Sequence, residues 1–405
     1  MRRAGEAGLV VGLFTAGLLA AGPGPAAADA GPDGSDASPR ASASPAPSPS
    51  AKMSVTAEAG AEADSNVQRL ETGPEAAMQP TAAPVARLGA RLTRVDRALG
   101  GAYALGIGAL SRTVLSGDDD LAPENVVLLS GDLRWMRPIG DRGVSVGLGL
   151  LGIDTLALAG GVGSRTFRTL GGEGLLALRG GEQRAITIAV GGRDFVYKPA
   201  HDYDWRGPTA SVQLDLTLWE RDQGARSVEL AVQLGFEARA YGSAANASAC
   251  AERAPPGTNC YTGTSLRRSD RFQRGGLELT WTGGFVAAAS YQVSVTDSNS
   301  YGQSIVRHRV SVSATTNLPW RLYGTALATL QLDNYPDGLL ERDVATQTFT
   351  TLDDENRSSL QVRVARHVGR WWAIEGRAAI WRNVGSDLDT EFRRTVLSAG
   401  AVYSR

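Results

Sequence analysis

Beyond residue 100 the chain repeats one pattern: a run alternating apolar and polar residues, then a turn, then another such run. Strict alternation marks a strand whose two faces meet different surroundings. In 227–239, Val228, Leu230, Val232, Leu234 and Phe236 share one face, and Glu229, Gln233, Glu237 and Arg239 the other. In 209–219, Val212, Leu214, Leu216 and Leu218 alternate with Ser211, Gln213, Asp215 and Thr217. The same reading sets Leu360, Val362 and Val364 against Gln361, Arg363 and His367, and Trp372, Ile374, Ala378 and Ile380 against Glu375 and Arg377. In 304–316, Val306, Val310, Val312 and Ala314 oppose Arg307, Arg309, Ser311 and Ser313.

A soluble sandwich also alternates, so length and connection pattern must decide. Soluble strands average about 5–6 residues, whereas about 9–11 are needed to cross a bilayer at a tilt. The runs here match the longer figure. Their connections alternate in length. Short turns are predicted at 137–143, 179–183, 221–226, 282–285, 318–321 and 369–371. The other connections fall at 115–122, 160–164, 197–208, 240–266, 297–303, 333–356 and 385–390. This pattern predicts an all-β, antiparallel transmembrane β-barrel of about 14 strands over 101–405, with both ends on the turn side. A further pair that includes 85–97 would make 16. Closure also removes the open strand edges that lipid cannot satisfy. Trp135, Trp219, Trp281, Trp320, Trp371 and Trp372 fall at predicted turn-side strand ends, and Tyr197, Tyr241, Tyr301 and Tyr335 at the opposite ends. Ring systems with one apolar and one hydrogen-bonding part favour the two membrane interfaces.

The N-terminal hundred residues read differently. Met1-Arg2-Arg3, an apolar run over 8–22 and the small residues ending Ala28-Asp29-Ala30 have the layout of a secretory signal peptide cleaved near Ala30. The run is short for a membrane-spanning helix of about 20 residues. An Ala/Pro/Ser-rich stretch follows, so 31–100 is expected to be a disordered tether, with a short helix near 61–71.

Composition narrows the function. The formal net charge of −1 argues against a nucleic-acid partner. Three His and two Cys exclude a Cys/His zinc cluster, and neither a metal nor a cofactor is expected. Lys52 and Lys198 are the only lysines, so nearly every basic residue is Arg. Arginine at the bilayer midplane on the lipid face would cost about 2–4 kcal/mol. The charged strand positions must therefore face the lumen: Asp215, Glu229, Glu237, Arg239, Glu278, Arg307, Arg309, Arg363, Glu375, Arg377 and Arg394. Such a lining suits a water-filled channel, and equally an interior closed by its own ion pairs. Gly106, Gly108, Gly147 and Gly149, spaced by two, read as small strand positions.

Cys250 and Cys260 share one predicted loop, and an exported protein meets an oxidising compartment, so a disulfide is expected there. Carboxylates gather at Asp118, Asp119, Asp120 and Glu124, and at Asp333, Asp337, Glu341, Asp343, Asp353, Asp354 and Glu355. They read as hydrated acidic loops without the spacing of a calcium loop. His201 in His201-Asp202-Tyr203-Asp204-Trp205 is the only feature that suggests a barrel hydrolase. No nucleophile motif accompanies it, so the chain is not read as an enzyme.

The chain resembles bacterial outer-membrane β-barrel proteins in general, on its signal-like N-terminus, connection pattern, aromatic belts and last strand. That strand sets Leu397, Ala399, Ala401 and Tyr403 on one face. The family usually ends in an aromatic residue, whereas here Ser404-Arg405 follow Tyr403. Asn299-Ser300-Tyr301-Gly302, Arg307-His308-Arg309 and 355–359 look like segments of C-terminal barrels in surface lipoprotein assembly modifiers and exopolysaccharide exporters, although no tetratricopeptide repeats precede the barrel here. The resemblance implies an outer-membrane location and contact with outer-membrane lipid, lipopolysaccharide and the barrel assembly machinery. It implies passage of a small polar solute or an exported polymer. The alternative is a non-conducting scaffold whose loops bind a partner.

Overall fold

The computed structural model describes residues 52–70, 72, 79–158, 165–181, 183–249, 261–336, 357–383 and 391–405. The expected signal peptide and all of 31–51 lie outside these residues, as do Cys250 and Cys260. Sixteen strands are described. They are β1 (Lys52–Asp64), β2 (Ala83–Ala98), β3 (Gly101–Val114), β4 (Val126–Ile139), β5 (Val144–Ala157), β6 (Phe167–Arg179), β7 (Arg184–Tyr197) and β8 (Trp205–Arg221). The others are β9 (Arg226–Ser248), β10 (Tyr261–Thr282), β11 (Phe285–Ser298), β12 (Ile305–Leu318), β13 (Leu322–Asn334), β14 (Ser358–His367), β15 (Trp372–Arg382) and β16 (Arg393–Ser404). Each pairs antiparallel with its sequence neighbours, and β1 closes the barrel on β16 from Thr56↔Ser404 to Asp64↔Val396.

The strand count corrects the expected 14. The additional pair is β1 and β2, inside the stretch assigned to the tether, and β2 covers the 85–97 run noted as a candidate. The expected helix near 61–71 is absent: 61–64 end β1, and 65–70 turn without helix. The reason lies in composition. Along β1, Ala57, Ala59, Ala61 and Ala63 alternate with Glu58, Gly60, Glu62 and Asp64. Alanine gives little hydropathic contrast, and an Ala/Glu mixture has the composition of a helix former.

Connections at one end are turns of two to four residues, and those at the other are longer. One of the two two-residue turns, Leu99-Gly100, has φ of 56° and 73°. Positive φ at both central residues matches the right-handed strand twist, which is why glycine holds the second place. The expected connection at 240–266 is mostly strand: β9 and β10 continue past the rim to Ser248 and from Tyr261 as a two-stranded ribbon. Their polar, small residues carry no alternation to read.

The outer wall is apolar. Leu148, Leu150, Val190, Leu234, Leu330, Leu360, Ile374 and Leu397 are all exposed on it. Trp219, Trp320, Trp371 and Trp372 are exposed at the turn end, where Trp219 stacks on Trp281 at 5.8 Å between centroids. The tyrosine belt at the loop end is not formed as expected: Tyr197 and Tyr241 occupy inward positions and are buried. Among the described residues no helix is long and apolar enough to cross a membrane.

Candidate functional site

Strand parity points every second side chain into the lumen, where the charge is sorted by height. At the loop end it is dry. Asp64 on β1 accepts from Arg394 on β16 and from Arg112 on β3, the latter at 2.7 Å. Arg112 also lies 3.5 Å from Glu62, which Arg87 meets at 3.3 Å. Arg112 and Arg394 are each only 1% exposed. The chain after β1 folds inward over them: Val67 packs with Val85, Val114 and Leu121. Asn66 closes this turn, donating to the Leu70 carbonyl at 2.7 Å and accepting from the Leu70 N–H at 2.9 Å.

Across the barrel a second dry cluster joins five strands at one height. Phe167 stacks on Phe195 at 6.1 Å and Phe195 on Trp205 at 5.7 Å. The Arg239 guanidinium then lies between Trp205 and Phe272, 4.6 and 4.8 Å from their centroids. Glu237 accepts from Arg239 at 2.5 Å and sits 3.1 Å from Arg193. Directly above, Arg268 forms a two-pronged pair with Asp270 and covers the Tyr241 ring at 4.0 Å. Cation–π contacts gain strength when desolvated, to about 2 kcal/mol. They fix the base of the β9–β10 ribbon.

Glycines make room for ion pairs that cross a strand. Arg91 on β2 meets Asp132 on β4 at 2.6 Å. The strand between them, β3, places Gly106 beneath the bridge, and a Cβ there would fall against both charged groups. Gly149 lies likewise beneath Glu173 and Gly89 beneath Glu58. Two of the spaced glycines of the sequence, Gly106 and Gly149, are thus part of the inward floor beneath charged side chains.

The turn-side half of the lumen is wetter. Glu278 is exposed, and Asp215 and Glu229 are half-buried. Asp215 and Glu278 both lie beside Ala231, while Glu229 stands opposite Thr217 and Thr280. Asp215 accepts from Gln213, Glu229 from Ser227 and Glu278 from Thr280. Arg363 pairs with Glu375, and Arg377 donates to Gln361 at 2.8 Å. Between these charged sectors, β11–β13 present hydroxyls, with Ser311 against Thr329 at 3.1 Å and Thr315 against Thr325 at 3.0 Å.

The eleven lumen positions read from the sequence lie on strands at inward parity, and several find their partners on residues outside that set. Arg307 takes Asp333, at 2.8 Å, and Arg394 takes Asp64. The sequence reading missed Glu62, Asp64, Arg87, Arg91 and Arg112 because it placed the barrel's start at residue 101 or left short β3 positions unweighed. It also missed Asp132, Glu173, Arg193, Arg268 and Asp270, although inward parity on their strands was the available signal. In the first acidic loop, Asp118 accepts from the Asp120 N–H at the start of a short 3-10 helix, Asp119–Glu124. His201 Nδ1 lies 2.9 Å from Asp204, which also accepts from the Tyr197 N–H at 2.7 Å. This is the geometry of a closed loop, with no nucleophile among its described partners.

No family model matches the chain, and no curated protein matches it. Solved structures with a similar shape include a loop L8 deletion mutant of OmpT, an outer membrane protein of Vibrio cholerae. It is 13% identical, with 88% of this chain and 99% of that one covered and a TM-score of 0.39. OccAB1 of Acinetobacter baumannii is 8% identical over 87% and 96%, with a TM-score of 0.44. OprB of Pseudomonas putida is 8% identical over 88% and 94%, also at 0.44. The class is defined by the chain's own architecture: a closed, 16-stranded antiparallel β-barrel, apolar outside and polar within.

Proposed function

We propose that this protein is an outer-membrane channel that passes polar material through its charged lumen. The apolar outer wall supports a membrane-spanning barrel, and the signal-like N-terminus supports export. The observation that carries the channel reading is the wet turn-side lumen. There Glu278 is exposed, and at mid-barrel Arg91 keeps 44% of its side chain exposed, although both point into the barrel. Charges that stay hydrated inside a barrel line a path for water and ions. The solute is a small polar molecule or an exported polymer. Lipopolysaccharide, outer-membrane lipid and the barrel assembly machinery are its proposed surroundings. Segment 31–51 serves as a tether, and Cys250 with Cys260 closes the tip of the β9–β10 ribbon.

A second reading, a non-conducting scaffold barrel, is favoured by the dry networks around Asp64 and Glu237 at the loop end. Conductance of the purified protein in planar bilayers separates the two. Stepwise ion conductance is expected. Its absence, both in the full chain and after removal of residues 31–51, would leave the scaffold reading.

A further inference from the structure

The outer wall near its loop end carries arginines, and most of them face an acid. Arg168 stands opposite Asp154, Arg206 opposite Asp194 and Arg271 opposite Asp297. One register position breaks this rule. Arg382 at the end of β15 stands directly opposite Arg393 at the start of β16. Their neighbours Trp381 and Arg394 point inward and are buried, so both arginines point outward, and both are exposed. Neither makes an ion pair among the described residues. Directly opposed Cβ atoms lie about 4.5–5.5 Å apart, and like charges in such a pair are destabilising. No acidic partner offsets this cost among the described residues.

Below them, past Thr395, the wall is apolar. Ile380 and Leu397, the latter 57% exposed, lead down to Ile374 and Ala401, with Leu360 and Val362 on the adjoining strand. Two guanidiniums at the rim above an aliphatic wall complement an amphiphile with an anionic head and acyl chains. Arginine presents donors in a planar fork that fits the oxygens of phosphate.

We propose that Arg382 and Arg393 form a fork on the outer wall that holds the phosphate of an anionic lipid head group, with its acyl chains along Ile380, Leu397 and Leu360. The proposal rests on the membrane-spanning reading of the barrel and names a lipid partner for its surface. It is independent of whether the lumen conducts.

The test uses the full chain in phosphatidylcholine vesicles with and without one-tenth phosphatidylglycerol. Lipid that co-purifies after gentle detergent extraction is counted by native mass spectrometry. Wild type is expected to retain phosphatidylglycerol in preference to phosphatidylcholine. A basic residue near a membrane surface is worth about a fivefold change in binding to anionic lipid, so R382Q/R393Q should lose most of that preference. R393E replaces the like-charge pair with an opposed ion pair. It should abolish the preference and raise the thermal midpoint in neutral detergent, showing that the barrel is intact. Equal retention by wild type and R382Q/R393Q would overturn the fork. So would displacement of the bound lipid by millimolar inorganic phosphate, which would mark a site for the free anion. A chain that fails to float with either vesicle would overturn the membrane reading and this proposal together. A chain that floats without lipid preference would overturn the fork alone.

Discussion

Arg394 on the last strand holds Asp64 on the first with two donors, Nε to Oδ1 at 3.0 Å and Nη2 to Oδ2 at 2.7 Å. The pair spans the seam where the sheet closes on itself, and Arg112 on β3 ties the same carboxylate across β2. Trp381 covers the Arg394 guanidinium at 4.9 Å from its centroid. On its β1 side the seam is built largely of small residues, with Ala57, Ala59, Gly60 and Ala61 meeting Tyr403, Ala401, Gly400 and Ala399. Side-chain packing therefore adds little at the seam, and its electrostatic clasp gains weight.

Asp64→Asn should consequently destabilise the barrel more than any single change on the outer wall. Removing one partner of a buried pair leaves the other charge uncompensated, at about 3–5 kcal/mol. Urea unfolding followed by intrinsic fluorescence should show a shifted midpoint with an unchanged slope. In the double variant D64N/R394M the losses should be clearly less than additive, since the two residues share one interaction. An additive double variant would mean that the clasp is not a unit.

The glycine floor gives a paired test. Gly106→Leu forces a side chain into the space of the Arg91–Asp132 bridge, and such overpacking typically costs about 1–3 kcal/mol. Gly131 lies on the neighbouring strand, faces outward and has nothing within 4 Å of an added Cβ. Gly131→Ala should be neutral or slightly stabilising, because glycine in a strand costs about 0.5–1 kcal/mol relative to alanine. The temperature at which the folded band is lost in heat-modifiable gel migration reads both variants.

These two tests also mark how far the sequence could be read. Alternation revealed the strands from β3 to β16 because residues such as Leu230, Val232 and Leu234 contrast sharply with Glu229 and Gln233. The same rule fails on β1, where alanine faces outward and the inward Glu58 and Glu62 stand beside Gly60. It fails again at the rim, where small and polar ribbon residues such as Ser243 and Asn246 carry no hydropathic period. Parity assigned Arg239 and Arg394 to the inner face, where each is 1% exposed. It could not supply their partners, because Asp64 and Arg394 lie 330 residues apart and only barrel closure brings them together. Nor could it separate Trp205 and Trp381 from the tryptophans exposed at the turn end.

That separation is itself measurable. Trp205 and Trp381 are 4% and 3% exposed and lie against arginines inside the barrel. Trp320 and Trp372 are exposed at the turn end. Brominated lipids quench only rings that touch acyl chains or their edge. Replacing Trp205 or Trp381 with Phe should leave the quenchable fluorescence unchanged, whereas Trp372→Phe should reduce it. Quenching carried by Trp205 would place the wrong face of β8 outward.

The wet half of the lumen predicts ion selectivity. Asp215, Glu229 and Glu278 stand on three neighbouring strands and accept hydrogen bonds from Gln213, Ser227 and Thr280 within the same wall. On the other side of the barrel, Arg363 is matched by Glu375. The carboxylate sector therefore contributes negative potential to the path, and rings of such groups favour cations. In a salt gradient across a planar bilayer, D215N/E229Q/E278Q should move the reversal potential toward that of an anion-preferring pore. Arg377→Gln should move it the other way. The conductance step itself should change less than the selectivity, because none of these substitutions alters backbone bore. An unchanged reversal potential in the triple variant would mean that ions do not travel past this sector, and the dry networks at the loop end would then describe the working state of the barrel.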